Sequence, residues 1–347
     1  MELQVKDLLF ALDKVKPALA QKELVPEMTH FIFDGDMIST YDDQISISYP
    51  FETEFPFSVK GNDFYSIVSK LNPDKPLTII QVENEVKVKQ GNRIAKFAQI
   101  EEKALEPYLD SLFESMNAEF EELPKDFVTG LAMCYPCASG DPSTGILACV
   151  LIEGRRIISS DRVRVGMYKL ESDIAPRVII KASAAHKLVQ YDVTHYHVSD
   201  SWVHFMSEDN SIFSARMIEP EDDFPDFEYL IKEADESKMK VPIPDEIKEI
   251  IDFTSIMSED DVYYKKAYFT VNENKINIKC TSKGRGSASA SLKLKKAVSK
   301  KQLKFTINPT FLMYAVGLTK MLKFTDNKVL LQAGNFNYLL ALYGDDR

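Results

Sequence analysis

The sequence is poor in the residues that secreted and membrane proteins use. Its 347 residues include only four cysteines, too few for a disulfide framework, which favours a reducing compartment. No apolar run approaches the roughly 18 residues that a membrane-spanning helix needs. The first residues, MELQVKDLLF, lack the apolar core of a signal peptide. We therefore expect a cytoplasmic protein that does not bind a membrane.

Positive charge is also scarce. The chain has 53 acidic and 42 basic residues and a net charge of −11 at pH 7, which opposes tight binding to nucleic acid over most of its surface. A repressor or nuclease that reads DNA grooves is usually basic, so these classes are disfavoured. A protein that surrounds DNA loosely stays compatible with this charge, because firm phosphate contacts would prevent sliding.

Motifs for catalysis and metal binding are lacking as well. Cys134 and Cys137 form a lone CxxC pair at a predicted helix end, which favours a structural role over a zinc site. His195, His197 and His204 lie close in sequence, but no nearby cysteine or carboxylate completes a metal site. Neither a phosphate-binding loop nor a nucleophile elbow occurs. We expect no catalytic residues, no metal and no cofactor, and hence a protein that is not an enzyme.

An internal repeat is the most informative feature that is present. Amphipathic helices are predicted to start near residues 3, 123 and 243, at regular intervals of about 120 residues. A second helix is predicted in each repeat, with Asn62, Ser183 and Asn308 as N-cap residues. Each second helix is followed by strands around a polar turn, in 86–100, 202–217 and 329–343.

The repeat predicts an α+β protein of three similar domains. We place the domains at residues 1–105, 120–232 and 240–347, each with two helices packed on antiparallel sheet. The linkers between them, near 103–122 and 232–242, are rich in charge and contain proline.

Three sequence segments resemble the bacterial-type β sliding clamp, the DNA polymerase III beta subunit. Residues 159–165, SSDRVRV, are similar to the family's Thr-Asp-Gly-His-Arg-Leu segment. Residues 215–218 and 224–227 are similar to its Arg-Leu-Ile and Tyr-Pro-Asp-Tyr segments. Residues 307–312 are similar to its Phe-Asn-x-x-Tyr-Leu segment. The departures from these motifs fit the hypothesis of a divergent phage or plasmid-encoded version.

The resemblance implies a processivity factor of DNA replication. It implies a ring-forming, head-to-tail homodimer of the DNA-clamp fold, with strands outside and helices lining a hole for duplex DNA. Binding would be independent of DNA sequence. A hydrophobic cleft between the second and third domains would bind short peptides of the polymerase and the clamp loader.

The resemblance also implies which side chains face DNA. The candidates are lysines on or next to the predicted helices: Lys6, Lys14, Lys22, Lys70, Lys181, Lys187 and Lys320. Ordinary solvated lysines remain the alternative interpretation of each. Asp245, Glu246, Glu249 and Asp252 make the first helix of the third domain acidic, so that helix would repel phosphate.

Two protein-binding surfaces are implied in the same way. The peptide cleft would be formed by Ser160, Arg164, Val165, Leu340, Leu342 and Tyr343. Arg162 and Val163 replace the family's Gly and His, and the last three cleft residues could instead complete a strand and core. The dimer interface would contain Phe97, Ile256 and Met257, for which burial in their own domain is the alternative.

Two other functions stay open at this point. One is a clamp-fold scaffold or regulator that no longer loads on DNA. The other is an enzyme whose active site is assembled from dispersed residues on a repeated α+β scaffold. Primer extension discriminates a working clamp from both alternatives, because only the clamp lengthens the products of its polymerase.

Overall fold

The computed structural model describes residues 1–20, 26–100, 118–219, 223–294 and 302–344. The chain divides into two compact units, the first formed by residues 1–129 and 171–219 and the second by residues 130–170 and 220–347. No helix in the described ranges is long and apolar enough to cross a lipid bilayer. The three predicted domain boundaries remain a proposal.

The first repeat begins with a short strand and a helix and ends in a three-stranded meander. Its elements are β1 (Glu2–Gln4), α1 (Val5–Val15), β2 (His30–Phe33), β3 (Met37–Tyr41), β4 (Ile45–Pro50), β5 (Phe57–Lys60), α2 (Gly61–Val68), β6 (Pro76–Val82), β7 (Glu85–Gln90) and β8 (Arg93–Ala98).

The second and third repeats follow the same order, with a further helix, α5, between them. The second contains β9 (Glu121–Glu122), α3 (Phe127–Cys134), β10 (Cys149–Ser160), β11 (Arg164–Lys181), α4 (Ala182–Leu188), β12 (Val193–Val198), β13 (Trp202–Ser207) and β14 (Ile212–Arg216). After α5 (Glu228–Asp235), the third contains β15 (Met239–Pro242), α6 (Ile247–Ser255), β16 (Ala267–Asn272), β17 (Lys275–Ser282), β18 (Gly286–Lys293), β19 (Leu303–Ile307), α7 (Pro309–Val316), β20 (Met321–Phe324), β21 (Lys328–Ala333) and β22 (Phe336–Ala341).

This element order confirms the predicted α+β class and the recurrence of its helices, with local corrections. Asn308 is an N-cap as predicted, since its side-chain oxygen accepts hydrogen bonds from the backbone of Thr310 and Phe311. The predictions for Asn62 and Ser183 were wrong, because the strands before α2 and α4 run directly into the helices at Gly61 and Ala182.

Two sheets form the first unit. One has eight strands in the order β5-β2-β3-β4-β14-β13-β12-β9, and the other has four in the order β1-β6-β7-β8. Neighbouring strands in both sheets are antiparallel, and the pairing of β4 with β14 sets Ile47 opposite Phe213. The apolar side of α1, including Leu8 and Leu12, is fully buried, as expected for a helix whose apolar residues recur every three to four positions.

The second unit also contains two sheets. One has six strands in the order β10-β11-β22-β21-β20-β15, and the other has four in the order β18-β17-β16-β19. Tyr338 is fully buried in its core and donates a hydrogen bond of 3.0 Å to the carbonyl of Phe311. The predicted CxxC cysteines also lie in this core, and burial raises the pKa of Cys137 to about 12. Both thiols therefore stay protonated and fill space.

Candidate nucleic-acid interface and peptide site

Four of the predicted DNA-facing lysines lie on or beside α1, α2 and α4. Lys6 is exposed on α1, and Lys70 is exposed just after the end of α2. Lys14 is half-buried, with its ammonium 3.5 Å from the carboxylate of Asp209. Lys187 on α4 donates to Asp42 at 3.1 Å and to the carbonyl of Pro17 at 2.8 Å. Lys14 and Lys187 therefore have anionic partners within their own unit, which weakens their attraction for phosphate.

The remaining lysine predictions have different surroundings. Lys181 is the half-buried last residue of β11, directly before α4. Lys320 follows α7 and forms an ion pair with Asp245, and both side chains are more than 70% exposed. Lys22 lies outside the described residues. None of these placements tests contact with DNA.

The helices carry little net positive charge. On α1, Lys6 and Lys14 are balanced by Asp7 and Asp13, and on α6, Glu249 and Asp252 exceed Lys248. Exposed cations instead lie on sheets, at Lys89, Lys96, Lys275 and Lys279. These lysines were not predicted from the sequence. They could have been, because charged residues that alternate with apolar residues along a strand point to the exposed face of a sheet.

The predicted peptide site is built around the start of β11. Ser160 ends β10, and its hydroxyl donates to the carbonyl of Arg164 at 2.8 Å. Arg164 faces Leu340 across the β11–β22 ladder, which places Val165 next to the same strand. Ser160, Val165 and Leu340 are all buried, so only part of the predicted set is directly accessible.

Arg164 has a fixed orientation. Its Nε lies 2.8 Å from Oδ2 of Asp161, and its guanidinium carbon lies 4.1 Å from the centre of the Phe311 ring. The side chain of Asp161 is only 1% exposed and also accepts from the backbone of Val163 and Arg164. A buried carboxylate that is paired in this way fixes the position of the arginine, whose side chain is 14% exposed.

The other two predicted cleft residues lie at the end of the described chain. Leu342 is half-buried, and its backbone N–H donates to the carbonyl of Asn327 at 2.8 Å. The hydroxyl of Tyr343 donates to the carbonyls of Tyr263 and Lys265, at 2.8 and 3.1 Å. Partial burial raises the pKa of Tyr343, so its hydroxyl remains a donor at neutral pH.

Aromatic rings join these two groups of residues. The rings of Tyr263 and Phe311 are 5.7 Å apart, which connects the surroundings of Tyr343 to those of Arg164. Tyr264, the next residue after Tyr263 in the sequence, is 69% exposed. Sequence reasoning used Phe311 only as part of a motif and missed both tyrosines, because the segment that carries them is distant in sequence.

The residues predicted for the dimer interface differ in exposure. Phe97 is buried, with its ring 5.3 Å from that of Phe64 in the same unit. Ile256 is 66% exposed just after α6, and Met257 is half-buried. Of these three residues only Ile256 is strongly exposed, and the role of all three in an interface remains a prediction.

Comparison with solved structures identifies the fold. No protein-family model matches the sequence, and none of the curated proteins matches it significantly. The structure is similar to the DNA polymerase III subunit beta from Pseudomonas aeruginosa, with a TM-score of 0.83, 14% identity and 99% coverage of both chains. The chain has the DNA sliding-clamp fold. This confirms the resemblance predicted from the sequence.

Two further structures support the clamp fold. A DNA polymerase sliding clamp from Bacillus subtilis has a TM-score of 0.82 and 16% identity, with coverage of 99% of this chain and 98% of that one. A Helicobacter pylori beta clamp bound to a DNA ligase peptide has a TM-score of 0.80 and 16% identity, with 99% coverage of both chains. The clamp fold therefore extends over essentially the whole chain, at identities that establish the fold alone.

Proposed function

We propose that this chain is a DNA sliding clamp, a processivity factor that encircles duplex DNA as a homodimeric ring and tethers a replicative polymerase. The observation that carries the proposal is the similarity to clamps over 99% of this chain and 99% of the Pseudomonas aeruginosa chain. The proposed protein is cytoplasmic, is not an enzyme and needs no cofactor. Its proposed domains are residues 1–105, 120–232 and 240–347.

A closed ring suits the charge of this chain. A ring is held on DNA by topology, so its residence time does not depend on strong phosphate contacts. The near balance of charge on α1 and the excess of carboxylates on α6 favour weak, sliding contact. Lys6 and Lys70 are the best candidates for phosphate contacts, since both are exposed.

We propose the surroundings of Arg164 as the site for short peptides of the polymerase and the clamp loader. Arg164 is held by Asp161 and stacked on Phe311, and the exposed Tyr264 adds aromatic surface nearby. The Helicobacter pylori clamp is described as bound to a DNA ligase peptide, which supports a peptide site in the clamp fold. Replacing Arg164 with alanine should weaken a partner peptide and leave ring formation intact.

The homodimer is proposed to form head to tail, with Ile256 as an apolar contact. Exposed aliphatic side chains favour association when a partner buries them. Phe97 and the half-buried Met257 remain proposed members of this interface, and Phe97 is packed against Phe64 within its own unit.

Negative-stain electron microscopy of the purified protein tests the ring. Class averages with six lobes around an open centre are expected. Compact particles without a hole, at concentrations well above those that populate a dimer, would contradict the proposal. Replacing Ile256 with arginine should then convert rings into single chains, whereas the same change at exposed Tyr268 should leave them intact.

A clamp-fold scaffold that does not load on DNA is the second candidate. The exposed carboxylates of α6 favour it, because they would repel phosphate from that helix. Primer extension with the cognate polymerase and loader separates the two functions. Longer products on addition of the protein support the clamp, and unchanged products with intact rings support the scaffold.

A further inference from the structure

The sheet that ends the third repeat has its outer face covered by a helix. Helix α5 packs against β20 and β21, and it buries Ile231 and Ala234. Beneath it, Leu330 and Leu339 face each other across the β21–β22 ladder and are 0% and 4% exposed. An apolar sheet face is thus sealed by an amphipathic helix.

Charge completes this contact between α5 and the sheet. Lys323 on β20 forms an ion pair with Asp235, and Lys328 on β21 lies 2.7 Å from Glu233. The lysine side chains are 20% and 13% exposed, so the helix covers them as well. The chemistry that fits this face is therefore an acidic amphipathic helix.

The first repeat contains a sheet of the same topology. Strand β1 pairs with the first strand of the β6-β7-β8 meander, as β15 pairs with the first strand of β20-β21-β22. The inner face of this sheet contains buried Leu77, Ile79, Val86, Val88 and Phe97. Because side chains alternate along a strand, the residues between them point to the outer face.

That outer face is apolar and basic, and it is exposed. Ile80, Val82 and Ile94 are 40%, 55% and 55% exposed. Lys87 lies opposite Ile80 on one side and Lys96 on the other, and Lys89 lies between Thr78 and Ile94. The face has the composition that α5 covers in the third repeat, with apolar side chains beside lysines.

The lysines and exposed apolar residues on the outer face of β6-β7-β8 are not needed for the stability of the sheet. Lysines placed directly opposite each other, as Lys87 and Lys96 are, destabilise a strand pair. Glu85 offsets only one of them, through an ion pair of 2.9 Å with Lys96. Ile80 and Val82 on β6 and Ile94 on β8 lie on either side of the lysines of β7, so the exposed apolar side chains border a basic strip.

The other four-stranded sheet shows that an exposed face can be polar in this protein. Apart from Tyr268, the outward positions include the polar residues Thr270, Asn277, Ser287, Ser289 and Ser291, and Lys275 lies directly opposite Lys293 on the same face. Opposed lysines therefore occur on both sheets, and exposed aliphatic residues are what distinguish the first. The apolar residues of the first sheet are therefore not a general property of sheet surfaces in this chain.

We propose that the outer face of β6-β7-β8 binds an acidic amphipathic helix of a partner protein, in the way that α5 covers the equivalent sheet of the third repeat. Leu, Ile or Phe side chains of that helix would pack on Ile80, Val82 and Ile94. Its carboxylates would pair with Lys87 and Lys89. This surface shares no residue with the proposed peptide site or with the residues predicted for the dimer interface.

Selection from a phage-displayed library of random peptides tests the proposal. Peptides of about 16 residues, enough for roughly four helical turns, are selected on the full chain. They are counter-selected on a variant with Ile80→Ser, Val82→Thr and Ile94→Ser. These exposed positions tolerate polar residues without loss of folding, which circular dichroism checks. The expected peptides carry Asp or Glu between large apolar residues spaced three and four apart.

Charge reversal then tests the ion pairs. Lys87→Glu with Lys89→Glu should weaken a selected peptide by about tenfold, and a peptide with its acids changed to lysine should recover the loss. The matched control, Lys275→Glu with Lys279→Glu on the other four-stranded sheet, should change the affinity less than about twofold.

Three results would overturn the proposal. The first is that no peptide depends on Ile80, Val82 and Ile94. The second is that the selected peptides lack acidic residues or are unaffected by charge reversal. The third is that vesicles with anionic phospholipid, or duplex DNA, bind this face and lose binding in the double lysine variant, which would assign it to a membrane or to nucleic acid.

Discussion

Two sheets with the same strand order have opposite surroundings on their outer faces. In the β20-β21-β22 meander, Leu330 is fully buried under α5. In the β6-β7-β8 meander, Ile80 and Ile94 are 40% and 55% exposed. The inner faces agree, since both are packed with buried aliphatic and aromatic residues. The repeat therefore determines which face of each sheet forms the core, whereas the segment that covers the other face differs between the copies.

The largest expected difference comes from removing an outward apolar residue in each sheet. Leu330→Ala should lower the free energy of unfolding by about 3 kcal/mol, because it leaves a cavity beneath α5. Ile80→Ala should lower it by less than about 0.5 kcal/mol, because its side chain is already exposed. Urea unfolding followed by circular dichroism measures both. Equal losses would show that the two faces are equally buried and would remove the basis of the comparison.

The two units also differ in their histidine content, which makes the stability of the first unit sensitive to pH. All five histidines lie in the first unit, and burial lowers the pKa of His204 to about 4, with a smaller contribution from His197. The unfolded chain therefore binds more protons than the folded one between about pH 6.5 and 4, so stability falls as the pH falls through that range. The loss should approach about 2 kcal/mol at pH 5.

Fluorescence of Trp202, which lies in the first unit, follows this transition during urea unfolding. In His204→Gln, the free energy of unfolding should fall less than in the wild type between about pH 7 and 5. The variant should also be somewhat less stable than the wild type at neutral pH. If wild type and His204→Gln depend on pH equally in this range, His204 is not the responsible group.

The two meanders share a glycine in the turn before their last strand. Gly91 and Gly334 occupy the turns before β8 and β22, with φ of 60° and 56°, and a Cβ would meet no atom within 4 Å at either. Replacing either glycine with alanine should lower the free energy of unfolding by about 1 kcal/mol, because alanine disfavours the left-handed backbone conformation and would make no steric clash. The two urea midpoints should shift together. A large difference between them would mean that the turns are not equivalent.

The smallest effect is expected from the lysines of the two faces. Lys328→Ala should lower stability by about 0.5–1 kcal/mol, a modest value because its partner Glu233 is 56% exposed. Lys87→Ala should leave stability unchanged or raise it by a few tenths of a kcal/mol, since it removes the repulsion from Lys96. Repeating both in about 0.5 M NaCl should shrink the difference, and a difference that persists would point to packing instead of charge.

Much of the fold was predictable because it depends on short-range patterns. Leu8 and Leu12 on one side of α1 predicted a helix with a single buried side, and both are fully buried. Asn308 before Pro309 predicted the start of α7, since a side-chain oxygen and a fixed φ favour a helix N-terminus. The recurrence of such signals about every 120 residues was enough to predict three copies of one arrangement.

The candidate site was less predictable, because its contacts join distant residues. Arg164 was named, but its stacking on Phe311 links positions 147 apart, and Lys187 reaches Asp42 across 145 residues. A sequence pattern shows that a lysine faces outward without showing which carboxylate lies beside it. The same limit applies to Phe97, which the family resemblance assigned to the interface, because the sequence did not show that its ring lies 5.3 Å from that of Phe64.

The repeats, the alternation of inner and outer residues and the glycines of the meander turns follow from local sequence patterns, because each depends on neighbours a few residues away. Tertiary structure alone decided that α5 covers Leu330 while Ile80 stays exposed, and that Asp161 holds Arg164 against Phe311. Burial of an outward face depends on which remote segment packs there, and that choice is made by the complementarity of whole surfaces.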